Sequence, residues 1–185
     1  MSDQTAAADT SAADTIAVVD NGTVLHIPFS ACVAYHGRTS IGGAALGFRL
    51  LQHAFALLSA DAPPDRADIT FFTAFPGPGL RDAVELVTRA VTRDAYRVDT
   101  TADVPGPEGV VGRMYFEVEI AGRRCRLALV EGAIGAEFIA LGRRSKTPNM
   151  TAADHTRWTE LKEGLATTVM ANPPAALFVT LPAEG

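Results

Sequence analysis

The sequence has few of the residues that build the commonest metal and redox sites. Cysteine occurs only at Cys32 and Cys125, far apart and without a C-x-x-C motif. Two such cysteines do not make a zinc site by themselves, and they do not indicate a disulfide framework. We therefore expect two free thiols, the usual state of a cytoplasmic protein.

Lysine is equally scarce, since Lys146 and Lys162 are the only two in the sequence. The formal net charge is −5, and no cluster of arginines is dense enough to outweigh it. This balance speaks against nucleic-acid binding. The basic segment 142–149 has two interpretations: it closes over an anionic ligand, or it is a solvated loop.

Targeting signals and common catalytic motifs are absent as well. The N-terminal residues lack the basic start and the apolar core of a signal peptide, so we expect none. Residues 1–14, rich in alanine, aspartate and threonine, predict a disordered tail, which leaves 15–185 as a single domain long enough to bury a core. The sequence contains no phosphate-binding loop, dinucleotide fingerprint, G-x-S-x-G elbow or H-E-x-x-H motif.

The most prominent feature that is present is a long apolar segment starting at Ile41 and running to about residue 60. Apolar residues cover all of its sides, which predicts a buried helix. About twenty residues is long enough to cross a membrane. Because Arg49, Gln52 and His53 lie in the middle of the segment, we predict a core helix and no membrane contact.

A polar turn, residues 35–40, precedes this helix. We predict that Thr39 or Ser40 caps the helix through its side-chain oxygen. The first free N–H groups and the positive end of the helix dipole would then point at whatever lies beside His36. This arrangement suits a small anionic or polar ligand. The alternative is a tight entry into the helix with His36 hydrogen-bonded and inert.

The rest of the chain predicts an α+β fold. Hydrophobic periodicity and turn residues indicate an antiparallel β-meander packed against the long buried central helix and two or three amphipathic helices. A capping box formed by Thr151 and Asp154 begins the last long helix. The predicted strands cover residues 16–19, 23–27, 68–72, 96–98, 114–120 and 125–129, and further helices begin at Leu80 and near residue 135.

Several phrases of the sequence resemble the E-subunit family of formylmethanofuran dehydrogenase. Residues 36–42, His-Gly-Arg-Thr-Ser-Ile-Gly, are similar to the family phrase H-G-H-x-C-P-G, and Gly-Phe-Arg at 47–49 to the following G-x-R. Residues 79–88 resemble C-x-x-D-A-I-x-x-x-T. Residues 112–116, Arg124 to Arg126 and 173–179 extend the resemblance over roughly residues 30–181.

The resemblance implies a metal site whose usual ligands this chain lacks. Ser40 stands where the family has a cysteine, Arg38 where it has a second histidine, and Gly79 where it has the cysteine before Asp82. Serine is a poor ligand beside thiolate and imidazole. The resemblance thus implies a divergent member that has kept the scaffold but needs no metal, with a metal at His36 as the alternative.

Two residues are our candidates for catalysis. His36 would serve as general acid or base, because imidazole titrates near neutral pH. Ser40, with the start of the helix, would donate to a carboxylate or a developing oxyanion. The function predicted in this way is a metal-independent enzyme acting on a small polar or anionic metabolite, with lyase, isomerase, cyclase and hydrolase chemistry all open.

The remaining candidates would bind the substrate. Tyr35 and Thr39 lie beside His36 in the sequence, and Arg38 would orient a negative charge. Arg49 needs a carboxylate partner if it is buried, and Asp82 is the candidate that the resemblance supplies.

Two other function classes stay open at this point. One is a non-catalytic accessory protein that binds a metal or cofactor through His36. The other is a structural protein with a vestigial pocket. We expect a homodimer in each case.

Overall fold

The computed structural model describes residues 14–182 of the chain. These residues form a mixed α+β fold with a two-stranded hairpin, a five-stranded sheet and six α-helices, as the sequence predicts. The predicted tail lies outside the described residues except for Asp14. In chain order the elements are β1 (Thr15–Asp20), β2 (Thr23–Pro28), α1 (Phe29–His36), α2 (Ile41–Leu58), β3 (Ile69–Thr73), α3 (Pro78–Thr88), β4 (Tyr96–Val98), β5 (Tyr115–Ile120), β6 (Arg123–Leu129), α4 (Ala136–Arg144), α5 (Ala152–Ala171), α6 (Pro174–Leu177) and β7 (Phe178–Leu181).

The hairpin of β1 and β2 turns at Asn21 and Gly22, as the sequence predicts. Both residues have positive φ angles, 49° and 76°. A two-residue turn of this kind matches the right-handed twist of the strands that it joins.

Helix α1 differs from the sequence-based expectation of an apolar lead-in followed by a turn. Residues 29–36 form two turns of helix, so His36 is the last residue of a helix and not part of a loop. Gly37 ends the helix with a φ of 76°, a conformation that glycine adopts without strain.

The five strands lie in the order β4-β3-β5-β6-β7. Strands β3, β5 and β6 form the predicted antiparallel part of the sheet, and β7, which we did not predict as a strand, pairs antiparallel to β6. Strand β4 pairs parallel to β3 after the crossover through α3. Alternate residues such as Phe116, Val118 and Leu127 face the core. The opposite face carries charged side chains, among them Glu117, Glu119 and Arg124.

Helix α2 is the centre of the core, packed between the sheet on one side and α3 and α5 on the other. It has the length and hydropathy of a membrane span, but 72% of it is buried inside the fold. A protein core therefore accounts for its apolar character, as the sequence analysis predicts.

Glycines let α2 and α3 approach closely at their N-terminal ends. A Cβ atom on Gly79 would lie only 2.3 Å from the carbonyl oxygen of Ser40 and 2.6 Å from the backbone nitrogen of Ala44. Gly47 contacts Leu80 and Ala83 in the same interface. The close approach brings the first turns of both helices to one place on the surface.

Helix α5 begins with the predicted capping box. The Thr151 side-chain oxygen accepts a hydrogen bond from the backbone N–H of Asp154 at 3.1 Å, and the Asp154 carboxylate accepts one from the N–H of Thr151 at 3.0 Å. The box fixes the start of α5, and the helix then runs beside the start of α2.

Candidate functional site

A cavity of about 290 Å³ lies where α2 and α3 begin. Its base is formed by Ser40, Gly42 and Gly43 at the start of α2 and by residues 77–79 at the start of α3. Helices α4 and α5 and the segment at Val110 close the other sides. At roughly 30 Å³ for each water molecule, the cavity has room for about ten waters, which is the size of a small metabolite.

The side walls of the cavity are mainly apolar. Phe75, Phe138 and Trp158 contribute rings, and Val110 and Val111 contribute methyl groups. The rings of Phe138 and Trp158 contact each other with their centres 4.6 Å apart. Apolar walls with a few polar groups are typical of sites for small organic molecules.

Gly142 of α4 is needed at this wall for a steric reason. A Cβ atom at this position would lie 2.5 Å from a methyl carbon of Val110 and 3.0 Å from the ring of Trp158. Without a side chain, α4 approaches both residues closely enough to close the cavity.

Both lysines of the sequence line this cavity. The Lys162 ammonium donates a hydrogen bond to the carbonyl oxygen of Thr39 at 2.7 Å and lies 5.7 Å from the centre of the Trp158 ring. The Lys146 ammonium forms no hydrogen bond or ion pair with any residue from 14 to 182. Within this range, neither lysine is paired with a carboxylate, so the cavity has uncompensated positive charge.

The start of α2 adds to this positive potential. Ser40 is the N-cap residue, but its side chain makes no capping hydrogen bond; the predicted side-chain cap is therefore wrong. No side chain caps α3 either, and its first position is Pro78, which has no N–H. The Gly43 N–H donates to the Ser40 carbonyl oxygen at 2.9 Å, whereas the N–H of Gly42, which lines the cavity, has no backbone partner among the described residues and is available to an anion.

A second feature beside the cavity is the pair of His36 and Asp82. Nδ1 of His36 lies 2.8 Å from Oδ2 of Asp82, and the His36 side chain is only 8% exposed. Its Nε2 is enclosed and has no hydrogen-bond partner among the described residues. A carboxylate on Nδ1 favours the tautomer whose proton lies on that nitrogen, leaving Nε2 with a free lone pair. That is the arrangement of an oriented general base.

The His36 ring does not line the cavity, although we expected it to face the start of α2. Ser40 and Gly79 do line it. Asp82 follows Gly79 by three residues, or about 4.5 Å along the axis of α3. The pair therefore lies beside the cavity, with Nε2 enclosed by protein.

The predicted substrate-binding residues have separate environments. Arg38 is bound to Glu163 of α5, with Nε 2.9 Å from Oε1, so its charge is neutralised. Tyr35 is 52% exposed. Thr39 lines the cavity, and its carbonyl oxygen accepts a hydrogen bond from the Lys162 ammonium.

The prediction that Arg49 pairs with Asp82 is wrong. The Arg49 guanidinium donates to Gln52 at 2.8 Å, to Asp14 at 3.4 Å and to the carbonyl oxygen of Met170. Arg49 lies eight residues, or about 12 Å, beyond the start of α2, whereas Asp82 lies near that start. Distance along the helix axis separates the two residues, and the resemblance in sequence did not account for it.

The described residues do not bring together a set of side chains suited to a metal ion. Across residues 14–182 there is no group of three or more His, Cys, Asp and Glu side chains that could hold one, whereas zinc sites in proteins use three or four. Gly79, the position of a family cysteine, has no room for a side chain.

The two thiols are likewise unsuited to metal binding. Both are buried and free. Burial raises the pKa of Cys32 to about 12 and that of Cys125 to about 11. The thiolate, which is the ligating form, is therefore strongly disfavoured.

Comparison with models of known protein families finds none that matches the chain, and no curated protein matches it significantly. The resemblance to the E-subunit family of formylmethanofuran dehydrogenase therefore stays a prediction. The single domain, the homodimer and the cytoplasmic location stay predictions with it.

Sequence reasoning missed most of the cavity wall. Phe138, Gly142 and Trp158 were not among our candidates, and Lys146 entered only as part of a basic segment with two interpretations. One signal in the sequence pointed here, namely the restriction of lysine to two positions in a chain rich in arginine. Those two positions meet at one cavity.

Proposed function

We propose that the protein binds a small anionic molecule in the cavity at the starts of α2 and α3. The observation that carries this proposal is the meeting of both lysines at one cavity without a neutralising carboxylate among the described residues. Lys146 is exposed and Lys162 is half-buried, and an anionic ligand in the cavity would give each ammonium group a charged hydrogen-bond partner.

The contrast with nearby arginines supports the same conclusion. Arg38, Arg144 and Arg157 surround this region on α5 and its neighbours, and each is paired with a carboxylate at 3.0 Å or less. The protein neutralises these cations within its own structure. Neither lysine at the cavity has such a carboxylate partner among the described residues.

The test is a titration of the purified protein with acetate, inorganic phosphate and benzoate. Trp158 is the only tryptophan, so its emission reports directly on the cavity. We expect at least one anion to change the emission saturably. The double variant Lys146→Met, Lys162→Met should weaken that binding about tenfold or more, because charge-assisted hydrogen bonds are lost.

Arg157→Met is the matched control, since Arg157 precedes Trp158 on α5 but does not line the cavity. It should bind the same anion as tightly as the unaltered protein does. Unchanged binding in the double lysine variant, or no response to any anion, would overturn the proposal.

Acid–base catalysis on the bound molecule is a second candidate function. The specific observation in its favour is the contact of His36 with Asp82 together with the unpartnered Nε2. Catalysis by this nitrogen requires residues 37–40 to shift so that Nε2 opens toward the cavity. Gly37, with its positive φ, is the natural hinge of such a shift.

The two candidates differ in what happens to the bound molecule. A ligand that copurifies with the protein is incubated with it and followed by NMR. An enzyme would convert the ligand, and both His36→Gln and Asp82→Asn would slow the conversion more than they weaken binding. A binding protein would return the ligand unchanged with either variant.

A further inference from the structure

We infer that the ligand of this cavity is a small carboxylate with a flat apolar ring, and not a polar anion such as inorganic phosphate or a sugar phosphate. The inference rests on the proposed function, because it identifies the class of molecule that the same cavity accepts. Its three supports are the chemistry of the walls, the number of free donors, and the size of the cavity.

The walls favour a hydrocarbon ring. Phe75, Phe138 and Trp158 face the cavity together with two valines. The hydroxyl groups of a sugar would lose water against these surfaces without gaining hydrogen bonds. An aromatic ring would instead bury apolar area and contact the rings in offset or edge-to-face geometry.

The free donors at the cavity fit a single carboxylate. Lys162 is already engaged by the Thr39 carbonyl and lies over the face of Trp158, which leaves Lys146 as the ammonium with no partner among residues 14–182. The start of α3 offers fewer N–H groups than an ordinary helix, because its first position is Pro78. The free Lys146 ammonium and the Gly42 N–H at the start of α2 match the two oxygens of a carboxylate.

Size limits the ligand to about one ring. A volume of about 290 Å³ lies at the lower end of the range for small-molecule sites, roughly 300 Å³ and above. A benzoate-sized molecule fits this space. The inference therefore concerns monocyclic aromatic acids and their close analogues.

The experiment uses para-fluorobenzoate as the probe and fluorine NMR as the readout, with the full chain. The matched neutral compound is para-fluorobenzyl alcohol, which keeps the ring and lacks the charge. We expect the acid to bind about tenfold or more tightly than the alcohol, as one charge-assisted hydrogen bond predicts. Acetate and inorganic phosphate in equal amounts should not displace it.

Variants of the cavity wall test the role of the ring. Trp158→Leu should weaken para-fluorobenzoate binding about tenfold, because an aromatic contact and apolar area are lost. Trp158→Phe keeps a ring at this position and should recover most of the affinity. Comparing the two variants excludes misfolding as the explanation, since both remove the indole of Trp158 but only Trp158→Phe keeps an aromatic ring.

Three outcomes separate the inference from the proposed function. Displacement of the probe by acetate or phosphate at equal concentration would overturn the inference alone, because small anions would then bind without a ring. Equal affinity for the alcohol and the acid, unaffected by Lys146→Met, would overturn both, because the cavity would then be apolar and not anionic in its preference. Binding of the acid with the predicted order of affinities supports both.

Discussion

Two regions of the molecule hold charged side chains next to aromatic rings, and they treat those charges in opposite ways. On the outer face of the five-stranded sheet, Arg124 lies 2.7 Å from Glu119 and 3.4 Å from Glu117, and Arg126 donates to the Tyr115 hydroxyl at 2.7 Å. At the cavity where α2 and α3 begin, the lysines have no carboxylate partner among residues 14–182. Arg124 thus has carboxylate partners within the sheet, whereas the lysines at the cavity have none within the described residues.

This difference distinguishes charged side chains that stabilise the fold from charged side chains that are available to bind a ligand. Cross-strand pairs such as Glu119 and Arg124 lie directly opposite in the register, so they stabilise the pairing of β5 and β6 by a few tenths of a kcal/mol. Nothing in the described fold depends on the ammonium of Lys146. Substitutions in the two regions, and in the frame beneath the cavity, test this distinction.

The largest loss of stability is expected for a substitution at the close contact between the starts of α2 and α3, which lies beneath the cavity. Gly79→Ala should lower the free energy of unfolding by about 3 kcal/mol or more, since the new methyl would lie 2.3 Å from the Ser40 carbonyl oxygen and force α2 and α3 apart. Urea denaturation measures the loss. The same variant should lose anion binding, because the starts of both helices form the base of the cavity.

Gly164→Ala is the control for the effect of adding a methyl to a helical glycine. Gly164 lies in α5, and a Cβ there would have no neighbour within 4 Å. This variant should be more stable by roughly 0.5–1 kcal/mol, the usual difference between the two residues within a helix. A Gly79→Ala protein as stable as the unaltered one would show that the helices separate easily at this point.

Glu85 is a buried charged residue whose carboxylate is hydrogen-bonded within the fold. Its side chain is 6% exposed, and its carboxylate accepts hydrogen bonds from the N–H groups of Val91 and Thr92 at 2.9 Å and 3.1 Å and one from the Thr92 hydroxyl. Burial by itself raises the pKa of Glu85, but the Thr92 hydrogen bonds, Arg89 and the Val91 N–H together lower it below its ordinary value of 4.5.

Glu85→Gln should therefore cost about 1–3 kcal/mol of unfolding free energy at neutral pH, because the charge is lost from these hydrogen bonds and a glutamine that keeps its oxygen on the two backbone donors turns its NH₂ toward the Arg89 guanidinium. A folded-state pKa below the unfolded one makes the Glu85 contribution complete above the unfolded pKa. The contribution is then lost as the pH falls through the folded pKa. Denaturation curves recorded between neutral and acid pH should show the variant losing less stability toward low pH than the unaltered protein. Parallel pH dependences of the two proteins would contradict this account.

Local patterns in the sequence predicted most of the fold. The Asn21-Gly22 turn, the alternation in β5 and β6 and the Thr151 capping box each involve residues within a few positions of one another, and the structure has all three. The burial of α2 followed from its apolar residues on every side. Such features depend on local backbone preferences and on the spacing of hydrophobic residues, and both can be inferred from a single sequence.

The site was harder to predict because its parts are distant in sequence. The contact of His36 with Asp82 joins residues 46 positions apart, and the contact of Lys162 with Thr39 joins residues 123 apart. Which face of α3 or α5 meets the start of α2 depends on helix packing, and no short motif records it. The wrong prediction for Arg49 has the same cause. The sequence resemblance suggested Asp82 as its partner, but it contained no information on how far apart the two residues lie along the helix axis.

On the sheet, Arg124→Met should have only a small effect. The side chain is 57% exposed, and exposed ion pairs contribute about 0.2–1 kcal/mol that salt screens further. Urea denaturation at low and high salt should show a loss within this range that shrinks at high salt. Binding of anions at the cavity should not change, and a weakened affinity would mean that the two regions are coupled.

Lys146→Met should have the smallest effect on the unfolding free energy of the ligand-free protein. It should have a clear effect on the unfolding free energy of the ligand-bound protein. Without ligand we expect a change within about 0.5 kcal/mol, as for a surface residue that makes no contact needed by the fold. An anion present at about a hundredfold excess over its dissociation constant should stabilise the unaltered protein by roughly 2.7 kcal/mol. The variant should lose most of that increment at the same concentration. A large loss of stability without ligand would mean instead that Lys146 belongs with the charges of the sheet, as part of the fold and not of a site.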